Sequence, residues 1–145
     1  MATRTRTLPA SSFNEALELL HFAFRRITED ADRVLARRGL GRAHHRVLYF
    51  VGRNPGVSVG GLLELMRITK QALHGPLATL VKQGLVSSQP SAESRRVKSL
   101  RLTAAGSKLA ARLAAPQRRR FAAAFEAAGP EAEEAWREVM RHLAE

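Results

Sequence analysis

Apolar positions recur along the chain at two different periods, and the change of period marks its organisation. From Phe13 they fall at Leu17, Leu20, Phe24, Ile27, Ala31 and Val34, spacings of 4-3-4-3-4-3. This is one stripe of a helix, sustained over about three heptads. Ser12-Phe13-Asn14-Glu15 reads as a capping box at its start, and Gly39 as the stop just past its end. Such a stripe serves either the core of a single chain or a contact between subunits. Its length and charged flanks favour the subunit contact. Residues 1–11, with Arg4 and Arg6, read as a flexible tail ahead of a single domain spanning 12–145.

A second helix is predicted over 42–53, apolar at Val47, Leu48, Phe50 and Val51 and ended by Asn54-Pro55-Gly56. Val57 is placed as a lone bridge to a later strand. Ser58 caps a short helix carrying Leu62, Leu63, Leu65 and Met66, which Gly60 and Gly61 weaken by about 1 kcal/mol each relative to Ala. Thr69 caps the next helix, whose Leu73, Leu77, Leu80 and Val81 fall at i, i+4, i+7 and i+8. Gly84 stops it. Two β-prone runs follow, 85–89 and 97–102, joined by a polar loop with Arg95-Arg96.

Thr103 then caps a long helix to about Ala128, which Pro116 is expected to kink. Gly129-Pro130-Glu131 opens a last helix with Glu131, Glu133 and Glu134 in its first turn. Its Ala132, Trp136, Val139 and Leu143 repeat the 4-3-4 seam. The fold class is mainly α with a small β wing, in the order α-α-(β)-α-α-β-β-α-α. Helix, turn, helix and a hairpin with a basic tip make a winged helix-turn-helix (42–103), flanked by a helical dimerisation region (12–40 and 104–145). In that layout a helix fits the DNA major groove and the hairpin reaches the phosphates or minor groove beside it.

Charge sharpens this picture. The chain has 24 Lys+Arg against 13 Asp+Glu, a net of +11. Residues 53–102 carry eight basic side chains and two acidic ones, whereas 13–38 hold five of each sign. The excess therefore follows the reading unit, which points to a polyanion partner. Cysteine is absent, which excludes disulfides, thiolate nucleophiles and Cys-based zinc sites. No apolar run approaches the roughly 18 residues of a membrane span, and no secretory signal is evident, so a cytoplasmic address and no membrane partner are expected.

These features together resemble the MarR family of bacterial transcriptional regulators, over nearly the whole chain. The most specific part is Leu85-Val86 after Gly84, then Ser94-Arg95-Arg96, then Leu102-Thr103-Ala104-Ala105-Gly106. The resemblance implies a homodimer on a pseudo-palindromic double-stranded DNA site. It implies a recognition helix over 69–83 with Thr69, Lys70, Gln71 and His74 toward the groove, where Gln71 suits adenine and Lys70 guanine or phosphate. Arg95, Arg96 and Lys98 take the role of the wing, and Ser58 that of a phosphate contact at a helix N-terminus. A small-molecule effector pocket is implied among His21, Arg25, His44, His45 and Tyr49. The subunit contact falls to Phe13, Leu17, Leu20, Trp136, Val139 and Leu143.

The chain also departs from the family pattern. Gly75 stands where many relatives carry Arg, and Pro76 follows inside the helix. In a straight helix the pair costs about 1 and about 3 kcal/mol relative to Ala, so a kink or a different start is expected there. Ser94 replaces the usual wing Asp, and Ser87 a residue that is often charged.

Other signals have plainer readings. Adjacent His44 and His45 point about 100° apart on a helix, with no Asp, Glu or His one turn away, which favours capping, packing or pocket polarity over a metal. Arg118-Arg119-Arg120 reads as a solvated face or as partner to the acidic last helix. Phe121, Phe125 and Trp136 read as core or subunit interface. No nucleophile elbow, phosphate loop or carboxylate pair is present, so neither an enzyme nor a cofactor is expected. The alternative function is a winged helix that binds proteins without specific DNA readout, a use to which Gly75-Pro76 is suited.

Overall fold

A computed structural model describes residues 6–145. Arg4, read above as part of the tail, lies outside the described residues. The first apolar stripe folds as helix α1 (Ala10–Ala36). Its start differs from the expected one. The Phe13 N–H donates to the Pro9 carbonyl at 3.0 Å, so the helix opens two residues before Ser12 and the Ser12–Glu15 capping box lies inside the helix. Pro9 has its φ preset near the helical value, and Ala10 is the strongest helix former, which explains the earlier start.

Gly39 closes α1 in a left-handed turn (φ +70°), with the Leu40 N–H returning to the Leu35 carbonyl at 3.0 Å. Leu35 and Leu40 are both buried. The same closure recurs at Gly84 (φ +71°), where the Leu85 N–H returns to Leu80 at 2.9 Å and both leucines are buried. In each case a glycine accepts the left-handed turn while a leucine pair is drawn under it.

Between these turns lie α2 (Arg42–Arg53), β1 (Val57–Ser58), α3 (Val59–Met66) and α4 (Lys70–Lys82). After Gly84 come β2 (Val86–Pro90), β3 (Lys98–Leu102), α5 (Ala104–Ala128) and α6 (Pro130–Ala144). The strands form one antiparallel sheet in the order β1-β3-β2. Val57 is more than a lone bridge: it pairs with Leu100, and Ser58 with Ser99. The hairpin begins one residue later than expected because Leu85 is otherwise engaged. Its N–H closes α4, and its carbonyl accepts from the Thr103 N–H at 3.1 Å. Helix α5 continues through Pro116 without interruption, and α4 likewise through Pro76.

The chain divides into two compact units, one of Asp30–Arg119 and one comprising Arg120–Glu145 and the described residues up to Glu29. The first holds the whole apolar core. Val47, Leu48, Val51, Leu62, Leu73, Leu80, Leu85, Val86 and Leu100 are buried there with Ala31 and Leu35 of α1 and Leu109 and Leu113 of α5. Among the described residues, no fully buried apolar side chain lies outside the stretch from Ala31 to Leu113.

The second unit contains the start of α1, the end of α5 and α6. Phe121, Phe125 and Trp136 form an aromatic triangle with ring centroids 5.4–5.7 Å apart, and the Arg137 guanidinium lies 5.1 Å from the Phe125 centroid. An apolar groove of about 460 Å³ runs beside the triangle, lined also by Leu20, Phe24 and Ile27. Phe13, Leu17, Leu20, Val139 and Leu143 are exposed in the single chain. The other faces of α1 are less charged than the stripe suggests, since Leu19 and Phe22 stand 61% and 59% exposed. Arg120 pairs with Glu29 at 2.9 Å. Glu29 is 91 positions away in sequence, so no local pattern announced the pair.

Candidate nucleic-acid interface

Two hydroxyl caps set the helix-turn-helix. Ser58 Oγ accepts from the Gly61 N–H at 2.9 Å at the start of α3, and Thr69 Oγ1 accepts from the Ala72 N–H at 3.1 Å at the start of α4. Each satisfies a donor that the first helical turn would otherwise leave open. Ser58 is half-buried and already committed through its lone pair, while its hydroxyl proton remains available to an acceptor. Between the helices Arg67 takes a left-handed conformation (φ +52°). This is the one such non-glycine position among the described residues, and it costs on the order of 1 kcal/mol.

The inward face of α4 is fixed by buried Leu73 and Leu80, with Leu77 half-buried. Lys70, Gln71 and His74 are therefore turned out, exposed, with Gly75 and Ala78 beside them. A Cβ added at Gly75 would meet nothing within 4 Å. The expected change of start does not occur: α4 opens at Thr69 as the cap requires.

In the wing, Ser91 Oγ donates to the Ser94 carbonyl at 2.9 Å and accepts from the Ser94 N–H at 3.0 Å. Ser94 Oγ accepts from the Arg96 N–H at 3.3 Å, and the Ser91 N–H closes the loop on the Val97 carbonyl at 2.7 Å. Two serines thus hold the tip through its backbone, where a carboxylate would instead attract the guanidinium groups. Arg95, Arg96 and Lys98 are exposed, and none forms an ion pair with another described residue. The outward face of α4 and the hairpin tip therefore each present solvated cations, with Glu93 as the one acid of the tip, a charge balance suited to a phosphate backbone.

A MarR-family sequence model matches residues 38–97, from the turn after α1 through the wing tip. The HTH-type transcriptional regulator PetP of Rhodobacter capsulatus is 38% identical over 136 residues, covering 94% of this chain and 82% of PetP. The chain is a member of the MarR family. The crystal structure of MarR family transcription regulator SP03579 superposes with a TM-score of 0.74 over 92% of this chain and 89% of that one, at 20% identity. NadR in complex with 4-hydroxyphenylacetate gives a TM-score of 0.69 at 25% identity, over 100% and 99% of the two chains. This MarR-family protein is accordingly a DNA-binding transcriptional regulator, which is not an enzyme class. No helix among the described residues is long and apolar enough to cross a membrane.

The residues assigned to an effector fall in both compact units. His21 and Arg25 sit one turn apart on the exposed start of α1, with His21 edge-on to Phe22 at 5.2 Å. On α2, His44 Nδ1 accepts from the Gly41 N–H at 3.0 Å and so caps the helix. His45 is half-buried, and Tyr49 one turn later is exposed, edge-on to Phe50 at 5.3 Å. Burial lowers the pKa of His45, Asp32 opposes that shift and Arg46 adds to it. Asp32 also holds Arg42 at 3.1 Å. No group of three or more His, Cys, Asp or Glu able to hold a metal ion occurs among the described residues.

The sequence reading of this regulator missed Ser91, Arg67 and the Asp32–Arg42 pair. Ser91 directly after Pro90 was a usable turn signal. The other two depend on contacts that no short window reveals.

Proposed function

We propose that this MarR-family regulator works in the cytoplasm as a homodimer on a pseudo-palindromic duplex site, and that a small-molecule effector modulates it. The observation that carries the dimer is the distribution of burial. The start of α1 and all of α6 bury no apolar side chain in the single chain, yet they expose Phe13, Leu17, Leu19, Phe22, Val139 and Leu143. Apolar helix faces of that extent are stable in water when a second surface covers them. A second copy is the occupant that the family membership favours. Two copies would set their α4 helices in successive major grooves, about 34 Å apart on one duplex face.

In this reading Thr69, Lys70, Gln71 and His74 face the groove, Arg95, Arg96 and Lys98 grip the flanking backbone, and Ser58 donates to a phosphate. Phe13, Leu17, Leu20, Trp136, Val139 and Leu143 form the subunit contact. NadR holds 4-hydroxyphenylacetate, which supports an effector of small-molecule size here. His21, Arg25, His44, His45 and Tyr49 are the polar residues proposed to receive it.

Selection from random duplexes, combined with light scattering on the free protein, tests the reading. The expected results are a retained site with two-fold symmetry and a mass of two chains. Phe22→Glu and Val139→Glu should each shift the mass toward one chain and abolish selection. A monomeric parent, or selected sites without symmetry, would refute the dimeric part.

A further inference from the structure

Arg26, Arg33, Arg42, Arg120 and Arg137 each pair with a carboxylate. Three of the cations that form no such pair share one surface hollow. Arg38 in the turn after α1, with Lys108 and Arg112 one turn apart on α5, surround an open concavity of about 390 Å³. Its floor is the buried Leu109 beside Ala105, and no acidic residue lines it. Among the described residues none of the three cations pairs with a carboxylate.

Like charges gathered around a concave surface repel one another and concentrate the positive potential inside it. Two guanidinium forks and an ammonium are the donors that grip phosphate oxygens. A single carboxylate would neutralise one of three charges, whereas a ligand with two or more phosphates matches all three. The volume exceeds that of a bare phosphate and lies in the range of small-molecule sites.

The place in the fold separates this cluster from the wing. It adjoins the start of α5, directly after β3, while Arg95 and Arg96 sit beyond the opposite end of that strand. Five strand residues at about 3.3 Å each put roughly 15 Å between the two ends. We infer that the concavity between Arg38, Lys108 and Arg112 is an anion site for a small organic phosphate carrying two or more phosphate groups. The Arg38 carbonyl also accepts from Gln83 Nε2 at 3.2 Å, at the C-terminal end of α4. A ligand bridging Arg38 to α5 therefore ties the C-cap of α4 to α5 through the turn after α1, which gives such a compound a route to DNA affinity.

Pyrophosphate, titrated calorimetrically into the full-length protein at low salt, is the probe. The expected result is saturable binding, weakened at least tenfold in an Arg38→Gln/Arg112→Gln variant and retained in Arg95→Ala/Arg96→Ala. The salt dependence of DNA binding by the first variant separates the two sources of phosphate, and it should match the parent. Absence of saturable binding, or equal binding by parent and first variant, overturns the site. A DNA salt slope lowered by about 0.9 for each phosphate no longer neutralised would assign the cluster to the duplex backbone and overturn the small ligand.

Discussion

A Cβ placed on Gly106 would lie 1.9 Å from the carbonyl oxygen of Leu85. No side chain fits there, because the obstacle is backbone that is itself committed: the same carbonyl accepts from the Thr103 N–H. Thr103 finishes the joint, its hydroxyl donating to the Gly84 carbonyl at 2.6 Å and accepting from the Gly106 N–H at 3.0 Å. The Leu-Thr-x-x-Gly run is thus the weld between α5 and the Gly84-Leu85 turn that follows α4. Gly106→Ala is expected to cost roughly 3 kcal/mol or more, as overpacking against backbone does, measured by urea unfolding. A variant as stable as the parent would contradict the close approach.

Gly75 presents the opposite case. It lies in a helix interior with open space where a Cβ would go. Gly75→Ala should therefore stabilise the protein by about 0.5–1 kcal/mol, through helix propensity and a less disordered unfolded chain. Thermal unfolding of the two proteins side by side checks this, and a destabilised variant would show that Pro76 strains the helix there.

Arg95 and Arg96 sit on a loop whose shape is set by Ser91 and Ser94. Changing both arginines to Ala should leave unfolding within about 0.5 kcal/mol of the parent, the usual range for exposed positions. Duplex affinity should fall, and the slope of log K against log salt should drop by about one for each phosphate the wing no longer grips. Fluorescence anisotropy at several salt concentrations reads both quantities. An unchanged slope would remove the wing from the interface.

His45 should make stability depend on pH. Burial lowers its pKa from 6.5 in the folded protein, against the opposing pull of Asp32 and with a smaller contribution from Arg46. The unfolded chain therefore takes up the proton first. The His45 contribution is intact above about pH 6.5 and is lost as the pH falls through the lowered folded value. His45→Gln should flatten that part of the stability profile, and Asp32→Asn should steepen it. A profile identical to the parent's for His45→Gln would show that other groups govern the acid limb.

Much of this was legible in the residues, for local reasons. The caps at Ser58 and Thr69 were readable because a hydroxyl followed by an apolar period is a short-range signal. The outward face of α4 was readable because Leu73, Leu77 and Leu80 define its inward face by spacing alone. Misreadings arose where a neighbour changed the balance. Pro9 and Ala10 extended α1 past a well-formed capping box. Leu19 and Phe22 were overlooked because a heptad reading takes one stripe and ignores apolar residues behind it. The serine clasp of the wing and the Arg120–Glu29 pair depend on loop closure and on helices far apart in sequence, which no periodicity encodes.

The confinement of full burial to the stretch from Ala31 to Leu113 bears on how much of the regulator a cell can keep. Helix ends that lack an interior of their own open readily and invite proteases, unless association shields them. If a second copy supplies that shield, resistance to proteolysis is expected to rise with protein concentration.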